Sequence, residues 1–139
     1  MTNKNPHAKS CIRVYNTEEQ KVSNKESFVL SLEGIAETDC GCSMTLNDKY
    51  VQINNPGLYH ISADFNVTYC SDSPVIQLYV GDKPILSAKA IVSRDEASVH
   101  IETELCIHTC RMNHPKVYVM VSDGGITVKY LSLGVLKLA

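Results

Sequence analysis

The feature that most constrains this chain is the strict alternation of apolar and polar residues between Tyr59 and Tyr69. In this segment, YHISADFNVTY, every odd position is apolar and every even position is polar. Successive side chains of a β-strand point to opposite faces, so the pattern predicts a strand with one buried face and one polar face. Residues 97–108, ASVHIETELCIH, repeat the pattern and predict a second strand of the same kind.

Turn signals divide the rest of the chain into further strands. Asn55-Pro56-Gly57 has the Pro-Gly order of a type II turn, and Gly81-Asp82 predicts a hairpin between residues 75–80 and 83–86. The other predicted strands are 11–15, 28–32, 43–46, 50–53, 117–121 and 126–138. Val, Ile and Thr supply 32 residues against seven Ala, and β-branched side chains favour strands. The chain is therefore predicted to be an all-β sandwich or barrel, with residues 1–10 as a polar tail and residues 11–139 as one domain.

Charge and hydropathy exclude two classes of partner. Thirteen basic and 15 acidic residues give a net charge of −2, which provides no electrostatic footprint for a nucleic acid or an anionic membrane. No run of 18 apolar residues occurs, so no transmembrane helix is expected. The first ten residues, MTNKNPHAKS, contain no apolar run, so we expect no secretory signal peptide and synthesis in a cytosol.

The six cysteines allow free thiols, a disulfide or a metal site. Cys40-Gly-Cys42 and Cys106-x-x-x-Cys110 both lack the Cys-x-x-Cys spacing that is usual for structural zinc. On a straight strand, Cys106 and Cys110 would lie about 13 Å apart, at about 3.3 Å per residue. Because a cytosol keeps thiols reduced, free thiols are favoured over a disulfide formed after release, and a metal ranks third. We expect no cofactor, and the sequence leaves the metal unknown.

The five histidines form no catalytic motif. The chain has no Gly-x-Ser-x-Gly elbow, no His-Glu-x-x-His, no phosphate loop and no dinucleotide fingerprint. A nucleophile and a base can still meet in space without a local motif. We therefore expect a protein that is not an enzyme, and a hydrolase with a cleft between protomers is the last of three alternatives.

Three segments resemble a known family in the order in which they occur. Residues 50–69, YVQINNPGLYHISADFNVTY, resemble a short strand, a turn and the Gly-x-Tyr (here Gly57 and Tyr59) that opens a long strand in the trimeric jelly roll of tumour necrosis factor and the complement globular head. Residues 77–85, QLYVGDKPI, resemble the hairpin that follows, and SLGVLKLA resembles the closing strand. The likeness covers roughly residues 28–139 by strand order. It is closer to bacterial and bacteriophage members, including the tips of collagen-like spore filaments.

The resemblance has two departures. Residues 110–115, CRMNHP, replace the usual Gly-Asp turn, and a collagen-like Gly-x-y stalk is missing. The missing stalk weakens the comparison with filament tips and favours a small protein mounted directly on a larger structure.

The resemblance implies a jelly-roll sandwich that forms a homotrimer, and it assigns roles to both faces of the two alternating strands. The core and family signature is Gly57, Tyr59, Ile61, Phe65, Val67, Leu133 and Val135. The polar face toward the threefold axis is His60, Ser62, Asp64, Asn66, His100, Glu102 and Glu104. From the residues alone, the same alternation also describes the solvated face of a monomeric sandwich. The alternatives are thus a wet outer face or a hydrated trimer interface, with or without an ion on the axis.

Three copies of the polar face would crowd carboxylates around an axis. Carboxylates in a confined space repel one another unless a cation, a histidinium or water screens them. We therefore expect trimer stability to fall at alkaline pH as histidinium is lost, unless a metal replaces it. His60 is the residue whose replacement by Ala is expected to abolish this dependence.

A short knob without a stalk or a signal peptide needs a platform, and virions assemble in a cytosol. The first hypothesis is therefore a virion structural or attachment protein made in the bacterial cytoplasm: a phage head fibre, a capsid decoration protein or a receptor-binding tip. The second is an adhesin module on a bacterial cell or spore surface. The expected partners are further copies of the chain, the virion or cell-surface platform, and a glycan or protein on a host surface, whereas nucleic acid and membrane are excluded.

Overall fold

The computed structural model describes residues 10–23, 26–39, 43–93, 97–109 and 113–139. Twelve β-strands and no helix lie in these ranges. The strands are β1 Ser10–Asn16, β2 Gln20–Val22, β3 Phe28–Val29, β4 Gly34–Asp39, β5 Met44–Asn47, β6 Tyr50–Ile53, β7 Gly57–Ser71, β8 Val75–Val80, β9 Lys83–Ile91, β10 Ser98–Ile107, β11 Lys116–Ser122 and β12 Gly125–Lys137. A helix able to cross a membrane is therefore also missing from this described part of the chain.

The strands form two antiparallel sheets of six strands each, which we call sheet A and sheet B. Sheet A has the order β10-β7-β12-β1-β4, and β2 pairs with β12. Sheet B has the order β5-β6-β11-β8-β9, and β3 pairs with β11. Strands that are neighbours in a sheet are thus often far apart in sequence, as when Ser10 of β1 pairs with Lys137 of β12. The architecture is a jelly-roll sandwich, which confirms the predicted fold class.

Alternate residues of the long strands fill the space between the sheets. On β7, the side chains of Tyr59, Ile61, Phe65 and Val67 are buried. Leu133 and Val135 of β12 are buried beside them. The Tyr59 hydroxyl donates a hydrogen bond to the Asn55 carbonyl oxygen at 2.6 Å, so the polar atom of this core residue has a partner. The apolar half of the alternation therefore forms the core.

The hairpin between β8 and β9 forms as predicted, but β9 is longer. Gly81 and Asp82 have positive φ angles of 59° and 67°, the conformation that a two-residue type I′ turn requires. The second strand continues to Ile91 instead of ending at Leu86. Gln77 of β8 supports this extension, because its side-chain amide donates to the carbonyl oxygens of Ile85 and Ala88.

The prediction of a type II turn at Asn55-Pro56-Gly57 is wrong. A type II turn needs a positive φ at the residue after the proline, and Gly57 does not have one. Instead, Gly57 begins β7 where the end of the chain passes close to it. A Cβ on Gly57 would lie 2.4 Å from the Ala139 carbonyl oxygen, so close approach requires the glycine.

Two strands, β2 and β4, were not predicted from the sequence. The six residues of β4, GIAETD, lie along the edge of sheet A, and all but the first are exposed. A strand that is exposed on both faces has no apolar alternation to reveal it. The predicted strand at 28–32 is also shorter than expected, because β3 ends at Val29.

Several predictions fall on residues that the structure does not describe. The predicted tail lies outside the described residues except for Ser10, which begins β1. Cys40, Cys42 and Cys110 also lie outside them, so neither of the two cysteine pairs weighed above is complete in the described residues. The described cysteines, Cys11, Cys70 and Cys106, are free thiols.

Candidate functional site

The polar half of the alternation lies on the outer face of sheet A, the face that points away from the core. Strands β7 and β10 pair there with Asp64 opposite His100, Ser62 opposite Glu102, and His60 opposite Glu104. Asn66 is opposite Ser98 at the end of the same ladder of pairs. Residues that are directly opposite each other in an antiparallel sheet share a face, so all seven residues of the predicted polar face lie together.

Five of these side chains form a continuous series of ion pairs, which we call the polar ladder: Asp64, His100, Glu102, His60 and Glu104. His100 Nδ1 is 2.6 Å from Asp64 Oδ1, and His100 Nε2 is 3.7 Å from Glu102 Oε2. His60 Nε2 is 3.3 Å from Glu102 Oε2, and His60 Nδ1 is 3.4 Å from Glu104 Oε1. Each imidazole thus lies between two carboxylates, and Glu102 joins the two halves.

The ladder favours the protonated form of His100. Its hydrogen bond with Asp64 raises the pKa of His100 above the ordinary value of 6.5. Partial burial acts against this, whereas the negative charges of Asp64 and Glu102 raise the pKa further. The ladder side chains are 30% to 58% exposed, so in a single chain each pair is worth little, about 0.2–1 kcal/mol. Covering the face would strengthen the attraction within each pair, because the local dielectric constant would fall, and it would also remove the hydration of both charges.

An arginine that the sequence interpretation did not single out extends the polar face across β12 and β1. Arg13 of β1 lies opposite Gly134 of β12, and its Nη1 donates to Ser132 Oγ at 2.8 Å. A Cβ at Gly134 would lie 2.6 Å from Arg13 Nη2, so the glycine leaves room for the guanidinium. A cleft of about 250 Å³ separates Arg13 from His60 and Ser62. The short alternation CIRVYN in β1 was the signal that could have placed Arg13 on this face.

A single chain offers no complete metal site on this face. Among the described residues, no group of three or more His, Cys, Asp or Glu side chains is arranged to hold a metal ion. The chemistry that the ladder provides is proton-dependent charge: three carboxylates balanced in part by two imidazoles.

Comparison with solved structures gives the fold. The PRD1 vertex protein P5 is similar over 92% of this chain and 72% of its own, with a TM-score of 0.70 and 14% sequence identity. The globular domain of zebrafish complement 1qA protein is similar over 93% of this chain and 96% of its own, with a TM-score of 0.61 and 12% identity. Murine APRIL at pH 5.0 is similar over 94% of this chain and all of its own, with a TM-score of 0.62 and 11% identity.

The sequence itself matches no protein-family model and no curated protein. The likeness is therefore one of structure, and it confirms a jelly roll like that of tumour necrosis factor, the fold that residues 50–69 already resembled.

Proposed function

From this tumour-necrosis-factor-like fold, we propose that the protein is a homotrimeric knob on a virion, with a structural or attachment role such as head fibre, capsid decoration or receptor-binding tip. The observation that carries the proposal is the similarity to a phage vertex protein along 92% of the chain. The other similar structures belong to trimeric jelly rolls, which supports self-association. The polar ladder then lies against the threefold axis.

The charges of the polar ladder suit such an axis when the imidazoles are protonated. Each chain would bring three carboxylates, and His60 and His100 supply the opposite charge beside them. Arg13 and Ser132 add hydrogen-bond donors on the neighbouring strands. When another copy covers this face with the same kinds of residue, the charged groups keep polar partners. An apolar cover would not provide such partners.

A ring of three needs a second surface, because each copy contacts its neighbour through two different patches. The edge where sheet B meets sheet A is the candidate. Ser87 of β9 and Thr103 of β10 join the two sheets there through a hydroxyl contact of 2.7 Å. Leu86 and Ile91 of the same edge strand are 81% and 62% exposed. Exposed apolar side chains on an edge strand need cover, and a neighbouring copy can provide it.

The oligomeric state is the first test of this proposal. Light scattering at micromolar concentration should give a mass about three times the 15.4 kDa of the chain. Ser62→Glu adds a fourth carboxylate to the polar face of each copy, opposite Glu102, and should give a monomer. A wild-type monomer would overturn the trimer and most of the virion proposal with it.

A matched substitution on the other sheet separates assembly from folding. Ser122 lies on the outer face of β11 in sheet B and is half-buried, as Ser62 is. Ser122→Glu should remain a trimer. If both variants dissociate, the effect is not specific to sheet A and the assignment of the interface is wrong.

Genes for capsid or tail proteins beside this gene would support the virion, whereas genes for spore-coat or cell-wall proteins would favour the surface adhesin.

A further inference from the structure

The outer face of sheet B contains a cleft that the proposed assembly leaves open. Its volume is about 300 Å³, at the lower end of the range for small-molecule sites. We call it the tyrosine cleft, and it is lined by Val29, Asp48, Lys49, Tyr50, Lys116 and Tyr118. This face lies on the opposite side of the sandwich from the polar ladder, so a trimer built on sheet A would present it to the outside.

The cleft arises from a gap beside β11, the central strand of sheet B. Strand β6 pairs with β11 at Lys116 and Val117, and β3 pairs with it at Met120 and Val121. Tyr118 lies between the ends of these two strands, and the turn that joins β5 to β6 supplies Asp48 and Lys49 at the rim. The backbone therefore fixes the position of the cleft.

The floor of the cleft is a fixed aromatic ring. Tyr118 stacks on Tyr79 of β8 with ring centroids 5.2 Å apart and ring planes within 4° of parallel. Its hydroxyl donates to Asp82 Oδ1 at 3.2 Å. Tyr79 does not line the cleft, so the ring face of Tyr118 that is turned away from Tyr79 borders it. A ring held at one face and at its hydroxyl presents its other face without further loss of rotamer freedom.

Two lysines line the cleft, mainly with the apolar carbons of their side chains. Lys116 Nζ lies 4.7 Å from the centroid of the Tyr50 ring, and Lys49 Nζ lies 5.6 Å from the centroid of the Phe28 ring. The contact of Lys116 holds its charge beside a ring that lines the cleft, whereas Phe28 is not one of the lining residues. Asp48 is the one carboxylate among the residues that line the cleft, so the lining has a net charge of +1. The complementary ligand has an apolar face and a single negative charge.

We propose that the tyrosine cleft binds one hexuronic acid unit of a surface polysaccharide. A pyranose ring presents a face of C–H groups that packs on an aromatic ring, and its rim of hydroxyls can bond to Asp48 and to the lysines. The carboxylate of a uronic acid supplies the negative charge that Lys49 and Lys116 match. A single-stranded nucleic acid would also stack, but it needs a basic groove along its backbone, and a chain of net charge −2 does not favour one.

This inference deepens the attachment role proposed above, and its test does not depend on the trimer. The probes are the methyl glycosides of glucuronic, galacturonic and mannuronic acid, each paired with the neutral methyl hexoside of the same configuration. Amide chemical shifts of ¹⁵N-labelled protein should change at Lys49, Tyr50, Lys116 and Tyr118 and not on the polar ladder. At least one uronide should bind about two- to fivefold tighter than its neutral partner, the gain expected from one exposed ion pair.

Variants identify which group is responsible. Lys116→Gln should remove the preference for the uronide, whereas Lys89→Gln, which changes an exposed lysine of β9 on the same sheet, should leave it intact. Tyr118→Leu should weaken both members of a pair, and Tyr118→Phe, which keeps the ring face, should not. No shift with any of the six sugars would overturn the site, as would a preference that survives in Lys116→Gln.

The two proposals fail separately. A trimer that binds none of the sugars refutes the tyrosine cleft and leaves the knob intact. A monomer that binds a uronide refutes the knob and leaves the cleft intact. Retention of the wild-type protein on immobilised polyuronate, and not on its methyl ester, would extend the result from single sugars to a polymer.

Discussion

The two outer faces of this sandwich share one architecture and differ in chemistry. On sheet A, the polar ladder joins two histidines to three carboxylates on neighbouring strands, and its charge depends on pH. On sheet B, tyrosines and lysines surround a cleft that contains no histidine. The alternation that builds the core places every second side chain of a strand on the outer face, where its chemistry is not fixed by core packing. The comparison teaches that the fold fixes the direction of these side chains, and that their chemistry distinguishes a surface for further copies from a surface for a ligand.

The largest expected effect tests the core between the two faces. Phe65→Ala should lower the free energy of unfolding by about 3–5 kcal/mol, because Phe65 is 1% exposed and its removal leaves a cavity. Asn66→Ala, one position further along β7 and exposed, should change it by about 0.5 kcal/mol or less. Chemical denaturation of both variants provides the measurement. A loss below about 1 kcal/mol for Phe65→Ala would mean that the inner and outer faces of β7 are assigned backwards.

A smaller effect distinguishes the faces by pH. The pKa of His100 is raised in the folded protein, chiefly by its hydrogen bond with Asp64. A raised pKa stabilises the fold below the unfolded pKa, and this stabilisation disappears as the pH rises through the folded value. Thermal unfolding from pH 5 to pH 9 should therefore show a stability loss above pH 6.5 that His100→Gln reduces.

Two controls accompany the pH experiment. His114→Gln changes an exposed histidine outside the ladder and should leave the pH profile as in the wild type. A chelator tests whether a metal on the threefold axis replaces the imidazoles. Parallel profiles for wild type and His100→Gln, unchanged by the chelator, would show that the ladder contributes no pH-dependent stability.

The smallest effect belongs to the tyrosine cleft. Tyr118→Phe removes one partly exposed hydrogen bond to Asp82 and should lower the free energy of unfolding by about 0.5 kcal/mol. Burial raises the pKa of Tyr118 above 10.0, and the bond to Asp82 raises it further. The ultraviolet titration curve of Tyr118→Phe should therefore lack the component that titrates at the highest pH. The curve of Tyr130→Phe, a variant on sheet A, should keep this component. A titration curve that loses its late component in Tyr130→Phe instead would contradict the contact.

The sequence predicted the parts of the molecule that one strand determines alone. Alternation placed Phe65 inside and Asp64 outside without any knowledge of neighbours, and it failed for β4 because nearly all of that strand is exposed. Pairing could not be foreseen in the same way. Glu102 joins the two histidines because His100 lies two residues before it on β10, whereas His60 reaches it diagonally from β7, where the register sets Ser62 opposite Glu102.

The tyrosine cleft could not be predicted from the sequence. Its residues come from β3, the turn before β6, β6 itself and β11, four segments that meet only through the topology of sheet B. Tyr118 lies in an alternating strand, VYVMV, so its outward direction could be predicted but its neighbours could not. Sites made by one or two long strands are therefore visible in a sequence of this kind, whereas sites made by the ends of several short strands are not.

The place of β12 in sheet A has a consequence for biosynthesis. This strand is central in the sheet, pairing with β7, β1 and β2, yet it comprises residues 125–137 and is synthesised after the other eleven strands of the described residues. Until then, β1 and β7 have no common partner, and their unpaired backbone groups are exposed to other nascent chains. Such distant pairings also make folding slow. During synthesis, β1 and β7 therefore need protection from other chains until β12 has been made.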